Sequence, residues 1–234
     1  MPDFDFWQDA ASRATSVRIP IDWIFPMLLD VEESQLLLVD YQVRLMPAIF
    51  EHELVLANAL RLTRLADALQ VPVWGTAQSP DELGPNVPEL QTAIEQAGGR
   101  VMSKQSFSAV AEGLSDWLRP PARKATQGGN ARSLPKHLQK PAAPAEEEGR
   151  GIIVIAGCEA HVCLLQTALD LLEEEFDVWV VTDACSSRSE RNRDAAFDRL
   201  AGNGAELVTT EMVAFEWLRT ADHEMFKQVQ SLIK

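Results

Sequence analysis

The chain has 234 residues, of which 46% are hydrophobic, and its formal net charge at pH 7 is −14. This length suits one large α/β domain, or one domain with an additional arm, and no apolar run reaches the roughly 18–20 residues of a membrane span. The acidic balance argues against general nucleic-acid binding, which depends on basic side chains that neutralise phosphates. Acidic residues near the N-terminus interrupt the apolar block of a signal peptide, and three cysteines fit a reducing compartment, so we expect a cytoplasmic protein.

Residues 1–33 contain aromatic side chains without clear periodicity, which predicts an N-terminal arm that packs on the domain or on a neighbouring subunit. From 34 to 234, apolar runs that are typical of buried strands alternate with segments of helical periodicity. The predicted strands are 35–39, 71–74, 100–103, 152–155, 178–182 and 205–208. The predicted helices are 52–70, 89–96, 107–117, one that begins near Cys163, 188–201, 211–220 and 222–233. This alternation predicts a Rossmann-like three-layer α-β-α domain around a mostly parallel sheet of about six strands.

Residues 119–150 differ from their surroundings in composition. They contain five of the thirteen prolines and seven of the twenty-one Lys and Arg residues, and they show no hydrophobic periodicity. A compact domain rarely needs a connection of this length. We therefore predict a Pro-rich surface insertion, with a lid or an oligomer arm as the functional alternative.

Three predicted strands end close to a reactive side chain: Asp40, Lys104 and Cys163. Because the carboxyl ends of parallel strands lie at one edge of the sheet, these side chains can meet there. A helix N-terminus and a nearby ammonium both lower the pKa of a thiol, so the position of Cys163 predicts a nucleophile with a depressed pKa. A carboxylate such as Asp40 can take the thiol proton. Each residue alone has an ordinary structural explanation, and a cysteine behind an apolar strand is usually an inert small hydrophobe.

Five sequence blocks resemble the isochorismatase-like cysteine hydrolases, and they cover roughly residues 34–217 in the order of that family. They are LLLVDYQ ending at Gln42, VPVWGTAQ ending at Gln78, SKQSFS around Lys104, GCEAHVCLLQTALD from Gly157 to Asp170, and VVTDACSSR ending at Arg188. The resemblance implies a catalytic triad in which Asp40 is the general base, Cys163 is the nucleophile and Lys104 is their electrostatic partner. It also implies a cis peptide between Cys158 and Glu159, and an oxyanion hole formed by the N–H groups of Glu159 and Cys163.

The departures from that family indicate what kind of bond is cleaved. Nicotinamidase-like members carry an Asp and paired His residues as a metal site after the second strand, whereas residues 78–90 contain no His here. The four histidines show no ligand spacing, so we predict no catalytic metal and no cofactor. True isochorismatases cleave a vinyl ether without needing the cysteine. The presence of Cys163 therefore favours a hydrolase that acts on an amide, imide or related C–N bond through an acyl thioester.

Four further residues are predicted to line the substrate site: Gln42, Gln78, Phe107 and His161. For His161, a helix-capping or positioning role is an equal alternative, while Cys158, Cys185, Asp170 and Asp183 fit structural roles. The predicted partners are a small-molecule substrate and further copies of the chain, with no nucleic acid and no membrane. The alternative function is a catalytically silent scaffold or partner-binding protein that kept the fold, which the aromatic arm and the Pro-rich insertion motivate.

Overall fold

The computed structural model describes residues 28–119 and 149–233. Most of the predicted N-terminal arm (1–27) and most of the predicted insertion (120–148) lie outside these ranges. Apart from the segment at 107–117, the described residues form the alternating strands and helices that the periodicity predicts. None of the helices in the described ranges combines the length and the apolar composition that a membrane span requires.

The centre of the domain is a parallel sheet of six strands in the order β3-β2-β1-β4-β5-β6. The strands are β1 (Ser34–Val39), β2 (Val73–Gln78), β3 (Arg100–Lys104), β4 (Ile152–Gly157), β5 (Asp177–Val181) and β6 (Glu206–Val208). All residues of β1 and β4 are buried, as expected for strands that are covered on both faces. The predicted fold class is therefore confirmed.

Helices cover both faces of the sheet. They are α1 (His52–Ala68), α2 (Pro80–Leu83), α3 (Pro88–Gln96), α4 (Ser115–Leu118), α5 (Leu165–Glu173), α6 (Glu190–Gly202), α7 (Thr210–Leu218) and α8 (Phe226–Ile233). Helix α1 packs against α3, α7 and α8, while α5 packs against α6 and the turn at Val110–Glu112. The hydrophobic core lies in the two layers between these helices and the sheet.

The strand order reverses between β1 and β4, which are neighbours in space although β2 and β3 separate them in sequence. In open α/β sheets such a switch point leaves a crevice at the carboxyl ends of the two strands, and ligands bind there. Asp40 follows β1 and Cys163 follows β4, so both lie at this crevice.

The predicted helix at 107–117 is wrong. The segment instead contains a single turn at Val110–Glu112 and the short α4. Three hydrogen bonds draw the backbone away from a helix: Lys104 Nζ donates to the carbonyl oxygens of Ser106 and Phe107, and the Glu112 carboxylate accepts the N–H of Ser106. The helical periodicity of the apolar residues is thus overridden by polar contacts at the end of β3.

Candidate active site

Asp40 turns the chain sharply at the carboxyl edge of the sheet. Its φ of 55° lies in the left-handed region, which Asp tolerates better than most residues. Its side chain is fully buried. Thr76 Oγ1 donates a hydrogen bond to Asp40 Oδ1 over 2.7 Å, and Lys104 Nζ donates one to Asp40 Oδ2 over 2.8 Å. Both carboxylate oxygens are therefore bound, and the orientation of the group is fixed.

Lys104 is the last residue of β3, and its ammonium is buried beside the end of β2. Besides Asp40, it donates to Gln78 Oε1 over 2.8 Å and to the carbonyl oxygen of Phe107 over 3.0 Å. A buried ammonium is stable only where a counter-ion and several acceptors replace its water shell. The ion pair with Asp40, which has 0% side-chain exposure on both partners, meets that condition.

Cys163 lies in a π-helical turn, Ala160–Leu164, that connects β4 to α5. Such turns are rare and are frequent at functional sites. The thiol is buried, and its Sγ approaches Gln78 Oε1 at 4.0 Å. Because the same Gln78 oxygen accepts from Lys104, which in turn contacts Asp40, the structure brings the three predicted residues together in one connected cluster.

The predicted direction of the pKa shift at Cys163 is wrong. The pKa of this thiol is raised to about 12: burial is the largest cause, the charge of the Asp40 carboxylate also raises it, and the Lys104 ammonium partly offsets both by lowering it. The helix N-terminus and the ammonium do not overcome the loss of hydration, because an anionic sulfur would lie beside a carboxylate in a buried site. In the resting protein the thiol is therefore protonated at neutral pH.

The turn between β4 and Cys163 carries the two predicted oxyanion donors. The peptide bond between Cys158 and Glu159 is cis. Among the described residues, the Glu159 N–H has no hydrogen-bond acceptor, and the Cys163 N–H has none outside its own helical turn. N–H groups beside a thiol that have no acceptor outside their own turn can serve as the donors that an oxyanion needs.

Two sets of contacts hold this turn in place. A Cβ atom at Gly157 would clash with the carbonyl oxygen of Val39, so only glycine lets the ends of β1 and β4 approach this closely. The Cys158 N–H donates to the same Val39 oxygen over 2.9 Å. On the other side, the Glu159 carboxylate accepts from the backbone N–H and the Nε of Arg188. The turn is thus tied both to β1 and to the loop before α6.

The two predicted glutamines have different surroundings. Gln42 has no exposed surface, and its amide binds the backbone N–H and carbonyl of Gln78 and the carbonyl of Gly84. These contacts fix the backbone of Gln78 at the end of β2. They also occupy the amide of Gln42, so neither its nitrogen nor its oxygen is left to bind a substrate. Gln78 itself faces Lys104 and the thiol with its oxygen, while its amide nitrogen donates to the carbonyl of Gln105.

The predicted aromatic and imidazole contacts lie at the periphery of this cluster. Phe107 is 52% exposed and belongs to the loop whose carbonyls bind Lys104. His161 is half-buried, with Nδ1 3.0 Å from Ser187 Oγ and Nε2 3.3 Å from Asn192 Nδ2. Since both ring nitrogens are engaged, these contacts favour the positioning role for His161.

Thr76 is a member of the site that the sequence reasoning missed. It lies within β2 and not at its end, and it is fully buried with its hydroxyl on Asp40. The alternation of side chains between the two faces of a strand could have indicated it. Thr76 and Gln78 are two residues apart and therefore point to the same face of β2, so a polar residue at 76 could have been placed beside Gln78.

The residues that were predicted to be structural do have structural contacts. Asp170 accepts a short hydrogen bond from Ser108 Oγ, and Asp183 accepts the N–H and the hydroxyl of Thr210. Cys158 and Cys185 are buried in the core, where loss of hydration raises the pKa of each thiol. Within 28–119 and 149–233, no three side chains of His, Cys, Asp and Glu cluster as ligands for a metal ion.

Comparison with known proteins places these features in a family. The model of the isochorismatase domain matches residues 143–212. Isochorismatase domain-containing protein 2 of Rattus norvegicus is 36% identical over 225 residues, which cover 96% of this chain and 88% of the rat protein. The structure of the MAR1 ribonuclease from Caenorhabditis elegans is 30% identical with a TM-score of 0.73, over 88% of this chain and 92% of that chain. The YcaC gene product of Escherichia coli, described as an octameric hydrolase of unknown specificity, is 26% identical with a TM-score of 0.69, over 88% and 89% of the two chains. The chain therefore belongs to the isochorismatase domain family.

Proposed function

We propose that this member of a hydrolase-fold family cleaves an amide-type C–N bond of a small metabolite through a Cys163 acyl thioester. The observation that carries the proposal is the buried cluster at the switch point of the sheet, in which the Cys163 thiol and the Lys104 ammonium share Gln78 Oε1 and the ammonium also pairs with the Asp40 carboxylate. A buried ion pair beside a nucleophilic side chain is costly to maintain, and it is typical of active sites.

The first half-reaction begins with a neutral thiol, because the pKa of Cys163 is raised to about 12. The Asp40 carboxylate takes the thiol proton while the sulfur attacks the carbonyl carbon of the substrate. The carbonyl π electrons move to oxygen, and the resulting oxyanion accepts hydrogen bonds from the N–H groups of Glu159 and Cys163. When the C–N bond breaks, the proton held by Asp40 passes to the leaving nitrogen, and an acyl thioester remains.

The second half-reaction returns the enzyme to its resting state. Asp40 takes a proton from water, whose oxygen attacks the thioester carbonyl at the same oxyanion site. The C–S bond then breaks, the proton returns to the sulfur, and the carboxylic acid product leaves. Throughout both halves Lys104 compensates the single negative charge that moves among the carboxylate, the sulfur and the oxyanion.

The decisive test compares Cys163→Ala with the wild type on a panel of small amides and imides. We expect the variant to lose turnover by the roughly thousandfold or more that removal of a nucleophile costs. An acyl adduct of the wild type, detected by mass spectrometry on the peptide that contains Cys163, identifies the intermediate. The matched control is Cys185→Ala, which removes a buried thiol outside the cluster and should retain turnover. A Cys163→Ala protein that hydrolyses the substrate as fast as the wild type does refutes the mechanism.

The same panel tests the alternative of a catalytically silent scaffold. A wild-type protein that turns over no panel member and forms no adduct with activated acyl esters supports that alternative. RNA is included because one structural relative is described as a ribonuclease. The net charge of −14 leads us to expect no RNA cleavage by this chain.

We also propose that the chain forms a homo-oligomer. The support is the octameric description of the Escherichia coli relative and the aromatic residues of the N-terminal arm. Analytical ultracentrifugation at micromolar concentration tests it, and a sedimentation profile that contains only monomer refutes it.

A further inference from the structure

Helix α7 has apolar side chains on two faces. One face is buried in the core and carries Val213, Ala214, Trp217 and Leu218. On the other side, Met212 and Phe215 are three residues apart and are therefore neighbours on the helix surface, and the two residues are 45% and 42% exposed. An amphipathic surface helix ordinarily presents polar residues outward. The Phe215 ring packs against Phe226 of α8 with a centroid distance of 6.5 Å, but the stripe stays largely exposed despite this contact.

The second stripe lines a groove. Its walls are formed by Leu28, Thr209, Glu211, Met212, Phe215, Glu216 and Arg219, and its volume is about 440 Å³. Of the five exposed large hydrophobic side chains in the described ranges, three line this groove, namely Leu28, Met212 and Phe215. Such a concentration of exposed apolar surface is typical of a site that another segment covers.

The chain enters the domain at one end of this groove. The guanidinium of Arg219 donates to the carbonyl oxygens of Leu28 and Leu29 over 3.2 and 2.6 Å, and Glu216 accepts the N–H of Leu29 over 2.8 Å. Both charged residues belong to the groove wall. These contacts fix Leu28 against α7, so the residues that precede it in sequence start from the groove itself.

We propose that residues 21–27 of the same chain occupy this groove. Their sequence is IDWIFPM, which places Trp23, Ile24, Phe25 and Met27 immediately before the fixed Leu28. The groove has the size of a site that accepts a small molecule or several large side chains. An own-chain occupant requires no further loss of translational freedom, which an external partner would have to overcome. The aromatic arm is thereby given a specific docking surface on α7.

Cysteine cross-linking in the full-length chain tests the proposal. Phe25→Cys is combined with Met212→Cys in a Cys163→Ala background, and the disulfide formed on mild oxidation is located by mass spectrometry. The matched control pairs Phe25→Cys with Phe107→Cys, since Phe107 is similarly exposed but follows β3, the outer strand on the opposite side of the sheet from β6 and α7. We expect an intramolecular disulfide for the first pair and at most a trace for the control.

Mixing isotopically labelled and unlabelled chains before oxidation shows whether a disulfide joins one chain or two. Links between chains mean that a second copy fills the groove, and equal yields for both pairs mean that the segment does not dock there; either result overturns the proposal.

Tryptic cleavage after Arg18 supplies a second measure that needs no disulfide. Met212→Asp should accelerate this cleavage about tenfold or more, the factor expected from losing the burial of one large apolar side chain, whereas Phe107→Asp should leave it unchanged. An unchanged rate in Met212→Asp contradicts the proposal.

Discussion

Replacement of Asp40 by Asn separates catalysis from thiol acidity. The variant keeps the size of the side chain and an acceptor for Thr76, but it removes the negative charge beside Cys163 and the base of the proposed mechanism. We expect turnover to fall by about 10²–10⁴-fold, the range for loss of a general base. The pKa of the Cys163 thiol should fall at the same time, because the Asp40 charge raises it and the Lys104 ammonium remains. Each unit of that decrease raises the thiolate fraction about tenfold at a fixed pH below the pKa.

The assay is the rate of iodoacetamide labelling of each cysteine as a function of pH, measured by peptide mass spectrometry beside the turnover assay. In the wild type, labelling of Cys163 should be slow near neutral pH and should rise steadily as the pH increases. In Asp40→Asn that rise should begin at lower pH, although the enzyme is nearly inactive. Asp194→Asn, which removes an exposed carboxylate from α6, is the matched control and should alter neither curve. An unchanged labelling curve in Asp40→Asn refutes the electrostatic argument, and unchanged turnover refutes the assignment of the base.

Three further predictions concern stability. Lys104→Met leaves the buried Asp40 carboxylate without its counter-ion and should lower the free energy of unfolding by about 3–5 kcal/mol in a urea titration; a loss below about 1 kcal/mol contradicts the importance of the pair. Thr76→Val keeps the side-chain shape but removes one hydrogen bond to the Asp40 carboxylate, so it should lower the free energy of unfolding by about 1.5–3 kcal/mol and reduce kcat without changing KM. A raised KM with an unchanged kcat indicates instead that Thr76 contacts the substrate. Burial raises the pKa of the Cys158 and Cys185 thiols above the ordinary 9.0, so above pH 9 these thiols ionise in the unfolded chain but not in the folded one. The free energy of unfolding should therefore decline as the pH rises beyond 9. Alkaline denaturation curves that stay flat between about pH 9 and 11 contradict this.

The strand ends of the site could be predicted from the sequence, and the reason is topological. Alternating buried strands and amphipathic helices predict a parallel sheet, and a parallel sheet places the carboxyl ends of its strands at one edge. That inference brings Asp40, Lys104 and Cys163 together although more than a hundred residues separate the first from the last. It needs no side-chain detail, which is why it survives comparison with the structure.

The remaining features depend on burial and on competition between contacts, which periodicity does not report. The segment at 107–117 has a helical pattern of apolar residues, yet the carbonyls of Ser106 and Phe107 at its start bind the Lys104 ammonium, so the local helical preference is overridden by a buried charge that needs acceptors. Gln42 follows a strand in the same way as Asp40 does, but only the structure shows that its amide forms hydrogen bonds with the backbone of Gln78. The sign of the pKa shift at Cys163 likewise depends on how deeply the thiol is buried.

The raised thiol pKa is compatible with the proposed chemistry once the destination of the proton is considered. A pKa of about 12 describes release of the Cys163 proton to water, which leaves two anions, the thiolate and the Asp40 carboxylate, beside one cation. Transfer of the same proton to Asp40 leaves one anion and one cation, because the carboxylate is neutralised as the thiolate forms. The Lys104 ammonium pairs with the carboxylate before the transfer and can stabilise the thiolate after it, so the net charge of the buried cluster stays constant. The low dielectric that suppresses a free thiolate therefore penalises internal transfer far less, and the cluster favours attack coupled to proton transfer over a preformed thiolate.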